Sequence, residues 1–579
     1  MGDSNGVAAE APERFAIGIS FGNSSSSIAR LTPEGKAEVI ANEEGDRQIP
    51  TVLSYIDGEE YHGTQAKAQL VRNPQNTVAY FRDYVGKKHA DFALHSFKSI
   101  DPTPCHQSAH PQQVDSTVAF TIRDTASETP NTVTVSEITT RHLRRLKQSA
   151  SDYLGKDVNA AVITVPTDFT DVQREALIAA AGAAGLEVLQ LIHEPVAAVL
   201  AYDARPEATV TDKLVVVADF GGTRSDAAVI ACRGGMYTIL ATAHDYELGG
   251  ASLDQIVIDH FAKEFIKKHK TDPRENARGL AKLKLEGEAT RRALSLGTNA
   301  SLSIESLADG IDFSSTINRT RYELLSGKVF AQFTRLIEQV VQKAELDVLD
   351  IDEVIFSGGT SHTPKIAQLA RNMFSEKTKI LAPSTSASAI NPSELAPRGA
   401  AIQASLIQEF DKEDIEQSIH PMVTATPHLR NAIGVEFVHG ETVEFKPLLN
   451  AETALPARRV AQYSAPKDGG DVLVRVCEGV REIKVTKPEP KPKEEKPPKA
   501  EDDEDEDSDF DSDEDEEEEI REIVWKTEKP IAELAVKGVK AGSKVELMVH
   551  VNADLGMQIT AREVGGQNAV RGAVESPKA

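Results

Sequence analysis

The sequence predicts an α/β protein of two related lobes followed by a small all-β domain. Three observations lead there. From Phe15 to about Ile407, short apolar, β-branched runs alternate with stretches of helical periodicity, the pattern of buried strands joined by helices. Two strand-and-turn segments about two hundred residues apart echo one another, Ile17-Gly-Ile-Ser20-Phe-Gly-Asn-Ser24 and Val216-Val-Ala-Asp219-Phe-Gly-Gly-Thr223. After Ile407 the helical periodicity gives way to strand-like runs separated by turn residues.

In chain order, the run Phe15 to Ile19 reads as a strand that enters a turn at Ser20-Phe-Gly22-Asn23 and four serines, Ser24 to Ser27. Such a turn, rich in backbone and hydroxyl donors, suits a phosphate. Ala161 to Val165 is a second strand, ended by Pro166, and the following helix takes its capping residue and acidic first turn from Asp171 and ends near Gly185. Phe330, Phe333, Ile337, Val340 and Val341 recur at helical spacing and mark the core face of a long helix. Two more glycine turns follow apolar strands, Asp219-Phe-Gly221-Gly222-Thr223 and Ser357-Gly358-Gly359-Thr360. Three such turns point to backbone amides converging on the phosphates of a nucleotide, in a cleft between the related halves.

Beyond Ile407 lies a polar connection, Gln408 to Gln417, and then the runs Ala432 to Phe437, Val472 to Val476, Lys544 to Val551 and Met557 to Ala561. The expected organisation is a tail over 1–14, the α/β domain over 15–407, a linker over 408–430, the β domain over 431–563 and a tail over 564–579. An insertion at about 488–521 interrupts the β domain. Its Pro/Lys-rich start and acidic run have too little apolar surface to offset the entropy of ordering, so a disordered loop between two strands is expected.

The 579 residues carry a net charge of −26, but Glu501 to Glu519 holds 16 acidic residues and no basic ones, which leaves −10 for the rest. That balance argues against strong direct binding to nucleic acid or to an anionic membrane. Cys105, Cys232 and Cys477 show no metal-ligand or redox spacing, as expected of a reducing compartment. No apolar run is long enough to span a bilayer, and the opening Met-Gly-Asp-Ser-Asn-Gly6 has neither a signal core nor the myristoylation pattern, so a cytoplasmic protein is expected. Ser508 and Ser512 sit among acidic residues as possible phosphate acceptors, and Lys267 to Lys270 reads as a solvated helix end.

The array "NPQNTVAYFRDYVG", "AAVITVPTDFTDVQREALIAAAGAAGLEVLQLIHEPVAAVLAY", "ADFGGTRSDAAVI", "ELGGASLD", "LEGEATRRALS" and "SGGTSHTPKI", in this order, resembles the nucleotide-binding domain of the seventy-kilodalton heat-shock chaperones, the Hsp70 family. The likeness covers Phe15 to about Ile407, and the strand-rich remainder is similar to the family's peptide-binding β domain. It implies the actin-like fold, two lobes around an ATP cleft. The family's adenosine clamp falls on Glu288, Arg291, Arg292 and Ser295, which the helical spacing i, i+3, i+4, i+7 places on one face. Its phosphate turns fall on Gly22, Asn23, Ser24, Gly221, Gly222, Thr223, Gly249, Gly250, Gly358, Gly359 and Thr360. ATP binding is thereby implied.

Hydrolysis is not. Ser20 stands where the family has an aspartate, Asn23 and Ser24 replace threonines, Arg82 replaces the lysine that orients the attacking water, and Gly-Gly-Gly-Thr has become Gly221-Gly222-Thr223-Arg224. Glu194, Asp219 and Asp226 remain, so Mg²⁺ is expected to be weakly held, through water on Asp219. Displacing the attacking water by about 1 Å costs on the order of a hundredfold in rate. The resemblance therefore implies a pseudo-ATPase. The Arg224 guanidinium either takes over part of the metal's screening and holds the triphosphate, or points away at the surface.

The family joins its domains by a leucine-rich linker and closes its β domain with a helical lid. Here the corresponding linker is Asp411 to Gln417, almost wholly polar, and the chain reaches Ala579 soon after its last strands, so a lidless β domain with weak linker docking is expected. Truncation and degenerate site together resemble the Ssz-type branch of the family. That branch implies a stable heterodimer with a zuotin-like J-domain protein, indirect association with the ribosome, and stimulation of a separate ribosome-bound Hsp70 in co-translational folding. The alternatives are an active ATP-hydrolysing Hsp70 that binds clients itself and an actin-fold metabolite kinase, which leaves the β domain unexplained.

Overall fold

The computed structural model describes residues 13–87, 108–114, 117–127, 129–205, 208–209, 211–411, 413–415, 429–439, 442–486, 520–566 and 569–576. Nearly all of the N-terminal tail, most of the linker, Cys105 and the acidic insertion with Ser508 and Ser512 lie outside the described residues. The chain divides into two compact units, 1–425 and 426–579.

Two sheets of the same plan organise the first unit. In one, Ala16–Phe21 turns back onto Ser25–Leu31 and then Ala37–Ile40, and on its other side runs parallel to Ala160–Val165, which Glu187–His193 follows. In the other, Lys213–Phe220 turns back onto Ser225–Arg233 and Met236–Asp245, and runs parallel to Glu353–Ser357, with Lys379–Leu381 beyond. The echo in sequence is thus an echo in register. Ser20 lies between Thr164 and Ser27, and Asp219 between Ser357 and Asp226. Each central strand delivers one polar residue at its end, and the two positions are mates.

The strands that read as apolar runs are buried on both faces, as parallel central strands are, and all six residues of Ala160–Val165 are buried. The helix after it spans Asp171–Ala183, but its cap is Thr170: the Thr170 hydroxyl accepts from Gln173 N and the Gln173 side chain accepts from Thr170 N, leaving Asp171 as the first helical residue. In Gly327–Lys343 the stripe Phe330, Phe333, Leu336, Ile337, Val340 and Val341 is buried against the second sheet. Lys267, Lys268 and His269 form the basic last turn of Gly250–His269, where they complement the helix dipole.

The helix Glu194–Asp203 packs on both sheets. Val199 and Tyr202 join Val215, Val217 and Ile355 of the second, while Ala197 joins Ala160, Val162 and Leu189 of the first. Leu395–Ile407 crosses it so closely that a Cβ on Gly399 would lie 1.9 Å from the carbonyl oxygen of Ala197.

The connecting segment departs from its polar reading. Ile415 is 4% exposed and packs with Ala404, Ile407, Leu189 and Val162, while Arg14, paired to Glu187, donates to the carbonyls of Gln408 and Phe410. One isoleucine therefore anchors a chain that is otherwise polar. Ile415→Asp is expected to release the anchor, because an unpaired charge would have to be buried; limited proteolysis within 408–415 should then rise several-fold relative to the unchanged chain.

The second unit holds two four-stranded antiparallel sheets. One runs Thr442–Leu449, Ala432–His439, Gly470–Thr486, Ile520–Val539, and the other Ala457–Ser464, Lys544–Val551, Met557–Glu563, Ala569–Val574. Alternation in Lys544–Val551 puts Val545, Leu547, Val549 and Val551 into the shared core. Gly470–Thr486 and Ile520–Val539 pair out to Thr486 and Ile520, so the acidic insertion joins the two arms of a long hairpin. Residues 569–574, read from sequence as part of a tail, form an edge strand instead; Ala569-Val-Arg-Gly-Ala-Val574 has too many small residues to show a strong alternation. Among the described residues no helix is long and apolar enough to cross a membrane.

Candidate functional site

Between the two sheets of the first unit lies a cavity of about 470 Å³, within the range of small-ligand sites. Ser20, Gly22, Asn23 and Ser24 come to it from the first sheet. Asp219, Gly221, Gly222, Thr223, Arg224 and Asp226 come from the second, and Gly358, Gly359 and Thr360 from the turn after Glu353–Ser357. Glu194 enters from the first turn of the helix that spans both sheets, and Arg82 from the short turn Arg82–Tyr84. Glu288, Arg291, Arg292 and Ser295 line it from Ala277–Leu296.

Gly249 and Gly250 are the exceptions. They do not line the cavity; the amides of Gly250 and Ala251 donate to the carbonyls of Gly221 and Gly222, and a Cβ on Gly249 would lie 2.8 Å from the Gly222 oxygen. These glycines let one turn close on another. Gly358 has the same role with a positive φ of 82°: a Cβ there would sit 2.4 Å from the Phe220 oxygen and 2.5 Å from Oδ1 of Asp219. Asn23 Nδ2 donates to Thr223 Oγ1 at 3.1 Å and ties the two echoing turns together, while its buried Oδ1 has no partner among the described residues.

Two arginines dominate the electrostatics. Arg82 is 4% exposed; its Nε and Nη2 donate to Asp83 Oδ1 at 2.9 and 2.8 Å, and its Nη1 to Glu194 Oε1 at 3.2 Å. Arg224 is 7% exposed, which removes the reading of a surface arginine. Its Nε donates to Asp226 Oδ2 at 2.8 Å, and its Nη2 to Asp226 Oδ1 and, at 3.0 Å, to Asp168 Oδ1. The Tyr246 ring lies 4.7 Å from the guanidinium, and the Tyr246 hydroxyl donates to Asp168 Oδ2 at 2.7 Å.

The carboxylates divide accordingly. Burial pushes Glu194 and Asp219 above the ordinary range, with neighbouring carboxylates adding to both and the arginines only partly offsetting them. Burial works against Asp168 too, yet Arg224 and the Tyr246 hydroxyl hold it down at about 2, and Arg224 and His244 likewise keep Asp226 low. Asp219 therefore costs stability when it ionises: its folded pKa exceeds the unfolded value, so the penalty grows as pH rises above about 4. Asp219→Asn is expected to stabilise the nucleotide-free protein at neutral pH by about 1–3 kcal/mol. Thermal unfolding should show that gain vanish below about pH 4.

At the other end, Glu288 accepts from Lys67 Nζ at 2.6 Å and pairs with Arg292, and Arg291 is tied to Asp254. Lys67, Asp168, His244, Tyr246 and Asp254 were not singled out from sequence, because no local spacing links them to the groups they touch.

A family model described as Hsp70 protein matches residues 16–489. The chain belongs to the Hsp70 family. It is 45% identical over 557 residues to the ribosome-associated complex subunit SSZ1 of Saccharomyces cerevisiae, covering 96% of this chain and 99% of that protein. A heat shock protein 70 homolog of Schizosaccharomyces pombe is 44% identical, with 98% and 97% covered. Heat shock 70 kDa protein 14 of Danio rerio is 32% identical, with 81% and 89% covered.

Proposed function

We propose that this chain binds ATP in the cleft, hydrolyses it slowly or not at all, and serves as the Hsp70-like member of a stable pair with a zuotin-like J-domain protein. The pair acts in the cytoplasm at the ribosome, which this chain meets indirectly, and stimulates a separate ribosome-bound Hsp70. The observation that carries the hydrolytic part is Arg82. Where the family lysine orients water, a fork-shaped guanidinium is locked on Asp83 and Glu194, and Ser20 brings no carboxylate to face Asp219. The nucleotide part is supported by the size and lining of the cavity. The ribosomal part is supported by the name of the Saccharomyces relative, a ribosome-associated complex subunit.

Single-turnover hydrolysis of bound, γ-labelled ATP, with and without a J domain, tests the reading. Persistence of ATP in both conditions is expected. The rival, an active chaperone, draws on the retained Glu194, Asp219 and Asp226, and J-domain-stimulated turnover at a rate typical of the family would establish it instead.

A further inference from the structure

The Hsp70 family ordinarily takes its nucleotide with Mg²⁺, and the donor set around Arg224, of which Asp226 lines the cavity and Asp168 and His244 do not, does not fit that ion. Asp168, Asp226 and His244 each bring one ligand-type atom to a common point, all within 4.8 Å of one another. Two carboxylates and an imidazole so placed would suit a divalent cation. The point is already taken. Arg224 Nη2 donates to both Asp168 and Asp226 and lies 3.4 Å from His244 Nδ1, and His244 Nδ1 lies 2.6 Å from Asp226 Oδ1. A metal entering here would have to break the two-pronged Arg224–Asp226 pair and face a guanidinium at contact distance.

Nor is the guanidinium free to swing aside. Tyr246 covers its face, and the Tyr246 hydroxyl pins the second oxygen of the Asp168 that holds its edge. The charge is permanent at any working pH. Across the cavity Arg82 is fixed in the same manner by Asp83 and Glu194, so two immobile cations stand where the family relies on one lysine and a metal.

We propose that Asp168, His244 and Tyr246 are positioning residues that hold Arg224 as the resident cation of the phosphate end, and that the cleft consequently takes its nucleotide as metal-free polyphosphate. The inference rests on the ATP-binding reading above. It goes further in naming the ionic form of the ligand and the residues that select it.

The test is ATP binding to the full-length chain in EDTA and in Mg²⁺, for the unchanged protein, Asp168→Asn and Tyr246→Phe. The unchanged protein should bind equally well in both buffers. In Asp168→Asn, affinity in EDTA should fall about tenfold, the worth of one charge-assisted hydrogen bond, with most of it recovered in Mg²⁺. Tyr246→Phe keeps the ring over the guanidinium, loses only the tether, and should show a smaller shift in the same direction. A general loss of folding would lower affinity equally in both buffers, so the ratio between buffers reports positioning. Binding of the unchanged protein only in Mg²⁺ would overturn the inference and leave the ATP reading standing. Variants with an unchanged ratio would overturn it as well, and failure to bind ATP in either buffer would overturn both.

Discussion

Restoring three family side chains at once, Ser20→Asp, Arg82→Lys and Arg224→Thr, is expected to raise single-turnover hydrolysis of bound ATP by at least about a hundredfold. Each change acts on a different shortfall. Ser20 holds in the first sheet the position that Asp219 holds in the second, and both line the cavity, so an aspartate at 20 adds a second carboxylate to it. A lysine at 82 is a single ammonium that cannot reproduce the three-pronged grip on Asp83 and Glu194, which frees Glu194 and restores a cation able to orient water. Removing Arg224 releases Asp226 to help hold a hydrated Mg²⁺. Because metal and water must both be in place, each single change should give little and the triple change most. A rate for the triple variant equal to that of the unchanged protein would contradict the proposal that these three positions limit hydrolysis.

Gly399→Val is expected to have the largest effect on stability. A Cβ at 399 would lie 1.9 Å from the oxygen and 2.5 Å from the carbon of Ala197, both backbone atoms of a helix packed on two sheets. Neither helix can retreat without opening the cores of both lobes. The cost should exceed about 4 kcal/mol, among the largest expected of one substitution. Gly327→Ala, where an added Cβ meets nothing within 4 Å, is the matched control. Denaturant unfolding should place the control near the unchanged protein, with the Gly399→Val chain insoluble or largely unfolded. A stable valine variant would contradict the described crossing.

Much of the fold was readable because burial leaves a periodic trace. Ala160–Val165 and Lys544–Val551 show as an apolar run and as an alternation broken only at Met548, and both become strands of the expected kind. The echo between Ser20 and Asp219 is short in sequence, yet it marks equivalent registers in two sheets of one plan. Where the pattern is thin, the folded chain differs from it. Thr170 rather than Asp171 caps its helix, since adjacent capping residues compete and only geometry decides; 569–574 is a strand of mostly small residues; and Ile415 is a lone apolar anchor in a polar stretch.

The site was readable for a different reason. Glycine turns and a spaced clamp keep their order along the chain, so their convergence on one cavity, Gly249 and Gly250 apart, could be expected. The distant partners of Arg224 could not. Asp168 and His244 stand far in sequence from Arg224, and each is an ordinary residue in its own segment; only the folded chain brings them to one guanidinium.

The most direct measurement is the nucleotide content of the protein purified from its own cells, by acid extraction and chromatography, at once and after an hour at physiological temperature. Stoichiometric ATP that remains ATP throughout is the predicted result. Conversion to ADP and phosphate within minutes, or a protein free of nucleotide that takes none up, would contradict the account.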